Sequence, residues 1–101
     1  MHSRIELQQI LEDILGSRNV YFMLPASVKM AYPAIVYELS DIENEHADNA
    51  PYVQRTRYSI TVIDKDPDSR IPFTISKLPT CSFDRAYKSD NLNHYVLNLY
   101  Y

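Results

Sequence analysis

Two runs of strict alternation, separated by a polar stretch, constrain this chain more than any other feature. Between Pro33 and Asp64, apolar residues recur at Ile35, Tyr37 and Leu39 and again at Tyr58, Ile60 and Val62. A period of two marks a strand with one buried face. The stretch from Asp41 to Arg57 is polar, and Asn49, Ala50 and Pro51 favour a chain reversal near its middle. The pattern predicts a long antiparallel hairpin with an apolar base and a charged tip. Parity sets the expected register: Tyr37 opposite Val62, Leu39 opposite Ile60 and Asp41 opposite Tyr58, with all apolar members on one face. A slip of one residue would turn one strand's apolar set away from the core. The other face then carries Val36, Ile42 and Ile63, either a partner surface or ordinary exposed apolar residues.

The remaining elements follow from local signals. Ser3 and Glu6 form a capping box, and Leu7, Ile10, Leu11 and Ile14 follow at helical spacing before Gly16. This predicts a helix over Ser3 to Leu15. Val20-Tyr21-Phe22 has the composition of a short strand, and the segment between Pro25 and Pro33 that of a loop. Met23, Met30 and Tyr32 are expected as satellite core, since methionine fills irregular gaps. Ser69 as a cap, Pro72 in the first turn and Pro79 as a stop predict a second helix, Arg70 to Leu78, with Ile71, Ile75 and Leu78 on one face. Ser82 to Lys88 and Leu92 to Tyr101 are two strands around the turn Ser89-Asp90-Asn91. Together these predict one α+β domain over 1–101: an antiparallel sheet, two helices packed on one face, and a long protruding β-hairpin.

Composition excludes several function classes. The only glycine is Gly16, so no glycine-rich phosphate loop can form. The net charge of −3 gives no basic excess for a grip on phosphates. The lone Cys81 cannot make an internal disulfide, which fits a reducing cytoplasm. No apolar run is long enough to cross a membrane, and the amphipathic N-terminal stretch has no secretory core.

No catalytic or metal constellation emerges. Asp64, Asp66 and Asp68 open like a calcium loop, but Ser69 and Ile75 stand where glycine and glutamate are required. His2, His46 and His94 are scattered, without zinc spacing. Cys81 with His94 as nucleophile and base lacks an electropositive setting, so an enzyme is not expected and no cofactor is implied. The acidic residues Asp41, Glu43, Glu45 and Asp48 face Arg55 and Arg57 on the return strand. They could be a solvated tip with cross-strand ion pairs of about 0.2–1 kcal/mol each. A hairpin of this length is, however, marginal alone in water, which favours packing on a neighbouring subunit.

Several segments resemble a known family. Ser27 through Glu38, Thr61 through Ser69, Cys81 through Asp84, Asn91 through His94 and the closing Asn98-Leu99-Tyr100-Tyr101 are similar to small proteins from the head–tail joining region of long-tailed phages. The resemblance implies a tail terminator, or tail-completion protein, of the virion neck. Such proteins form a ring, usually of six copies, on the head-proximal end of the tail tube. The ring ends tube growth and meets the head's connector. The implied partners are further copies of the chain, the tail tube protein and the head-completion or connector protein, with DNA passing through without specific binding. Asp41, Glu43, Glu45 and Asp48 would line the channel or, with Arg55 and Arg57, lie between subunits. Val36, Ile42, Ile63, Val20 and Phe22 are the candidate interface. Alternatives are a head-closure or adaptor protein and a small phage-encoded binding module.

Overall fold

The structure is a computed structural model. It describes residues 4–23, 32–47 and 50–101, with the backbone alone for 43–47 and 50–55. The element order is α1 (Arg4–Leu15), β1 (Val20–Phe22), β2 (Ala34–Ala47), β3 (Ala50–Asp64), α2 (Ile71–Ser76), β4 (Cys81–Ser89) and β5 (Leu92–Tyr100). The strands form one sheet in the order β1-β2-β3-β5-β4. Three of its pairings are antiparallel, but β1 runs parallel to β2, so the sheet is mixed and not wholly antiparallel. A parallel neighbour needs a crossover, and the eleven residues from Met23 to Pro33 separate the two strands.

Both helices pack on one face of this sheet. Leu7 and Leu11 from α1 and Ile75 from α2 are fully buried against Ile35, Tyr37, Ile60, Val62, Leu97 and Leu99. Ile71 and Leu78 flank them. α1 ends at Gly16, whose φ of 79° is open to glycine without steric cost and whose amide donates to the Glu12 carbonyl at 2.8 Å. The expected cap Ser3 lies outside the described residues. α2 is shorter than the spacing suggests. Its cap position is Arg70, with no side-chain bond, and Ser69 Oγ accepts the Ile71 amide at 3.4 Å. The amides of Lys77 and Leu78 reach back three residues, a tightened last turn before Pro79. Met23 is exposed, against its expected place in the core, Tyr32 is half-buried, and Met30 lies outside the described residues.

The turn between β4 and β5 is tight. Asp90 and Asn91 both have positive φ, at 51° and 63°, as a two-residue hairpin connection with right-handed strand twist requires. Thr80, between α2 and β4, also has positive φ, at 63°. Its hydroxyl bonds to the Tyr100 carbonyl and offsets part of that strain.

Tyr37 ties the layers together. It is fully buried, and its hydroxyl donates to Gln8 Oε1 and accepts from Arg4 Nη1 at 3.2 Å. Gln8 Nε2 in turn donates to the Val20 carbonyl at 3.0 Å. The Tyr37 ring lies 5.0 Å from Phe22 and 6.0 Å, edge-on, from Tyr58, and Arg4 sits 4.5 Å above Phe22. Burial pushes the Tyr37 phenol above its ordinary 10.0, against the lowering effect of Arg4. The neutral phenol is therefore the folded form, and its contribution is complete below pH 10 and lost as pH rises through the raised value. Tyr37→Phe strands the partners of one buried hydroxyl. It should cost about 1–3 kcal/mol near pH 7 by urea denaturation and flatten the alkaline limb of stability. Unchanged stability in both limbs would show that the hydroxyl network contributes nothing.

Candidate functional site

The most distinctive part of the sheet is where it narrows to two strands. β1 ends at Phe22, opposite Tyr37, and β5 ends at Tyr100, opposite Arg57. The last backbone links from these flanks are the Met23 amide to the Tyr37 carbonyl and the Tyr101 amide to the Thr56 carbonyl, both at 2.9 Å. Among the described residues β2 and β3 pair only with each other beyond them, from Ile42 opposite Thr56 to Ala47 opposite Ala50. Six residues of strand span roughly 20 Å.

The register corrects the expected one in two ways. At the base the pairing is offset by two residues: Ile35 meets Val62, Tyr37 meets Ile60 and Leu39 meets Tyr58. An offset of two preserves parity, so the apolar set keeps one face as expected. A bulge then follows between Leu39 and Asp41, and Asp41 meets Arg57, not Tyr58. Past the bulge Glu43 is opposite Arg55 and Glu45 opposite Val53. The extra residue, Ser40, thus converts the acid-facing-arginine relation of the sequence into directly opposed positions.

The bulge also divides the residues grouped as one outer face. Ile42 opposes Thr56 on the parity of Tyr58, the helix side, while Val36 opposes Thr61 on the other side. Leu39 and Ile42, three apart, therefore share a face, and both are exposed, at 42% and 46%. Val20 and Ile63 are each only 6% exposed within the single chain, which leaves them almost no surface for a partner. Val20 belongs to the main core; Phe22 packs against it and is half-buried, as is Val36. Asp48 lies outside the described residues, and Glu43, Glu45 and Arg55 are placed by backbone register alone. Asp41 and Arg57 are half-buried, and Arg57 Nε is buried without a hydrogen-bond partner.

The other candidate chemistry separates. Cys81 pairs with Leu99 and His94 with Tyr87, which sets them five residues apart along β5, roughly 17 Å. Burial pushes the Cys81 thiol up, the wrong direction for a nucleophile. The His94 ring stacks on Tyr87 at 4.7 Å and its Nδ1 bonds to the Leu92 carbonyl at 3.2 Å. The aspartates cap turns: Asp64 Oδ1 accepts the Asp66 amide at 3.1 Å, and Asp66 Oδ1 the Asp68 amide at 2.9 Å. Among the described residues no cluster is arranged to hold a metal ion.

One surface went unremarked in the sequence. Pro72, Phe73 and Ser76 of α2, with Phe83 and Ala86 of β4 and Tyr95 of β5, line an apolar groove of about 380 Å³. Its signal was Phe73, which falls off the Ile71–Ile75–Leu78 stripe and so had no place in the predicted core.

Compared with known proteins, the chain matches no family model and no curated sequence.

Asp41 and Arg57 should couple favourably, by about 0.2–1 kcal/mol, in a double-mutant cycle of alanine substitutions followed by urea denaturation. Zero coupling would mean that the two groups are solvated independently.

Proposed function

We propose that this chain is a structural virion subunit: one copy in a ring at the head-proximal end of the tail tube of a long-tailed phage. The ring ends tube growth and joins the tube to the head connector. The observation that carries this reading is the β2–β3 ribbon, which outruns both of its flanking strands. In this reading it is a protruding arm. The molecule's extents of 53 × 23 × 23 Å support an elongated subunit, longer in one direction than a spherical packing of its residues requires.

A two-stranded ribbon is marginal in water by itself. Exposed Leu39 and Ile42 on its helix side supply apolar surface for a neighbouring copy to cover. A closed ring needs head-to-tail contacts between two different surfaces of the same chain, and an arm with a receiving surface meets that need. The likeness to head–tail joining proteins supplies the place in the virion and the expected count of six. Asp41 and Glu43 are each opposed by an arginine, which favours the arm between subunits over a purely acidic channel lining. Glu45 and Asp48 remain available to face the DNA channel and keep passing phosphates from sticking.

The test is electron microscopy of the purified protein mixed with tail tubes. A cap at one tube end and arrested growth are expected; binding to portal or connector and not to tubes would reassign the chain to the adaptor role. Charge reversal of Arg55 and Arg57 together to glutamate should shift the native mass spectrum toward monomer. An unchanged distribution of oligomers would leave the arm as a solvated feature.

A further inference from the structure

We propose that the free edge of β4 pairs, antiparallel and backbone to backbone, with the free edge of β2 in a second copy of this chain. Phe83 of one copy then lies opposite Ile42 of the other, and Ala86 opposite Leu39. The inference rests on the ring reading above and names the contact that would close the ring. β4 is the outer strand of the sheet, and every residue from Ser82 to Ser89 is exposed. β1 flanks β2 only as far as Phe22, and beyond that point Glu38, Leu39, Ser40 and Ile42 are exposed. Open edges of this kind are templates for another strand.

Hydrogen bonds mark which residues turn their backbone outward. The Tyr37 carbonyl accepts the Met23 amide, so Tyr37 faces β1. Leu39, two residues on, faces the same way, and among the described residues no strand lies beside it. The Thr56 carbonyl accepts the Tyr101 amide and so points away from β2; its opposite number Ile42 therefore also turns outward. On β4 the Asp90–Asn91 turn makes Ser89 and Leu92 a bonded pair, which turns Lys88 and Ala86 outward. At the other end the Tyr100 amide donates to the Thr80 carbonyl, which turns Cys81 and Phe83 outward. Each edge thus has two outward residues three apart, because each carries a bulge: at Ser40 on β2 and at Asp84 on β4. A regular strand falls out of step at either bulge, whereas a strand with the same insertion keeps count. The contact stops at Leu39, since the Tyr37 carbonyl is already taken.

The faces agree as well. By register Leu39 and Ile42 share the side of Tyr58 and Thr56, and Phe83 and Ala86 the side of Leu97 and Tyr95, which is the helix side in both cases. Opposed residues of an antiparallel pair point to one face, so the pairing joins two sheets with their helices on the same side. Apolar groups then meet on that side. On the reverse face Arg85 stands opposite Ser40, flanked by Glu38 and Asp41. Charge names the second copy's β2 as the occupant. By register Glu38, Asp41, Glu43 and Glu45 all lie on the reverse side of β2, with no base from Glu38 to Glu45. β4 carries Arg85 and Lys88 against Asp84. Asp84 falls opposite Asp41 and is already held by Arg85 at 2.8 Å. The free edge of β3 carries Arg55 and Arg57 on the reverse side and repels Arg85, and two β4 edges would bring like charges together. Within one sheet β2 and β4 run in opposite directions, so a rotation about an axis along the strands sets them antiparallel between copies. Two unlike edges paired in this way repeat head to tail.

The contact is tested by cross-linking in a Cys81→Ser background. One preparation carries Ile42→Cys, another Phe83→Cys, and a short bis-maleimide is added to each and to their mixture. A covalent dimer is expected in the mixture and not in either preparation alone. In parallel, Ala86→Pro removes an amide that points away from β5, so the β4–β5 hairpin keeps its own ladder while the edge loses a donor. It should weaken self-association by about tenfold or more while the circular dichroism spectrum stays unchanged. Arg85→Glu should also weaken it, and Glu38→Lys in the same chain should recover part of the loss. Self-linking of either single-cysteine preparation to the level of the mixture would overturn the inference in favour of two like edges meeting. Wild-type oligomer levels in both Ala86→Pro and Arg85→Glu would overturn it while leaving the ring intact. A wild-type chain that stays monomeric at every concentration and with tail tubes present would sink both readings together.

Discussion

A buried phenol must have its hydroxyl bonded, and in this fold that requirement falls on Tyr37. Its ring fills the middle of the core, and its oxygen is held by two side chains of α1. One of these, Gln8, also holds the backbone of β1 through the Val20 carbonyl. One residue on β2 therefore fixes the approach of the helix and the placing of the edge strand. That matters because β1 is three residues long and has few backbone bonds of its own. Without the α1 link, the parallel edge would be the first part of the sheet to open.

Much of this was legible in the residues. Alternation at Ile35, Tyr37, Tyr58, Ile60 and Val62 reported the buried face, because parity survives any even offset in pairing. The helical stripe Leu7–Leu11 and the pair Asp90–Asn91 were equally direct, since each is a local signal with a local cause. Absolute register was not legible, because it depends on a bulge at Ser40, a residue with no unusual backbone preference. The parallel partner of β1 was hidden for a related reason: pairing between distant segments leaves no periodic trace in a strand of three residues. Val20 and Ile63 looked like candidate interface residues on their apolar character, yet apolar character is also what the core selects.

The candidate surfaces show the same division. The opposition of acids and arginines across the hairpin could be anticipated from composition. The exact partners could not, because Asp41 against Arg57 requires the bulge. The α2–β4 groove escaped notice because its residues come from three elements, and only the packed fold brings Phe73 beside Phe83. The function proposed above would lie in how edges and overhangs of a sheet are used, and residue chemistry by itself is nearly silent on edges.

Ser40 has a consequence for how this chain can change length. The bulge acts as a phase shift: residues before it and after it are out of step by one. Deleting Ser40 would remove the shift and leave Asp41 opposite Arg57 and Ile42 opposite Thr56, because continuous β3 sets the side each pair faces; only the local kink and added twist would go. Removing one residue from each strand further out would keep the pairing but turn the tip's two sides over, whereas removing two from each strand shortens the ribbon and keeps its sides. The reach of the overhang can therefore change with its sides kept only in steps of two residues per strand, roughly 7 Å at a time.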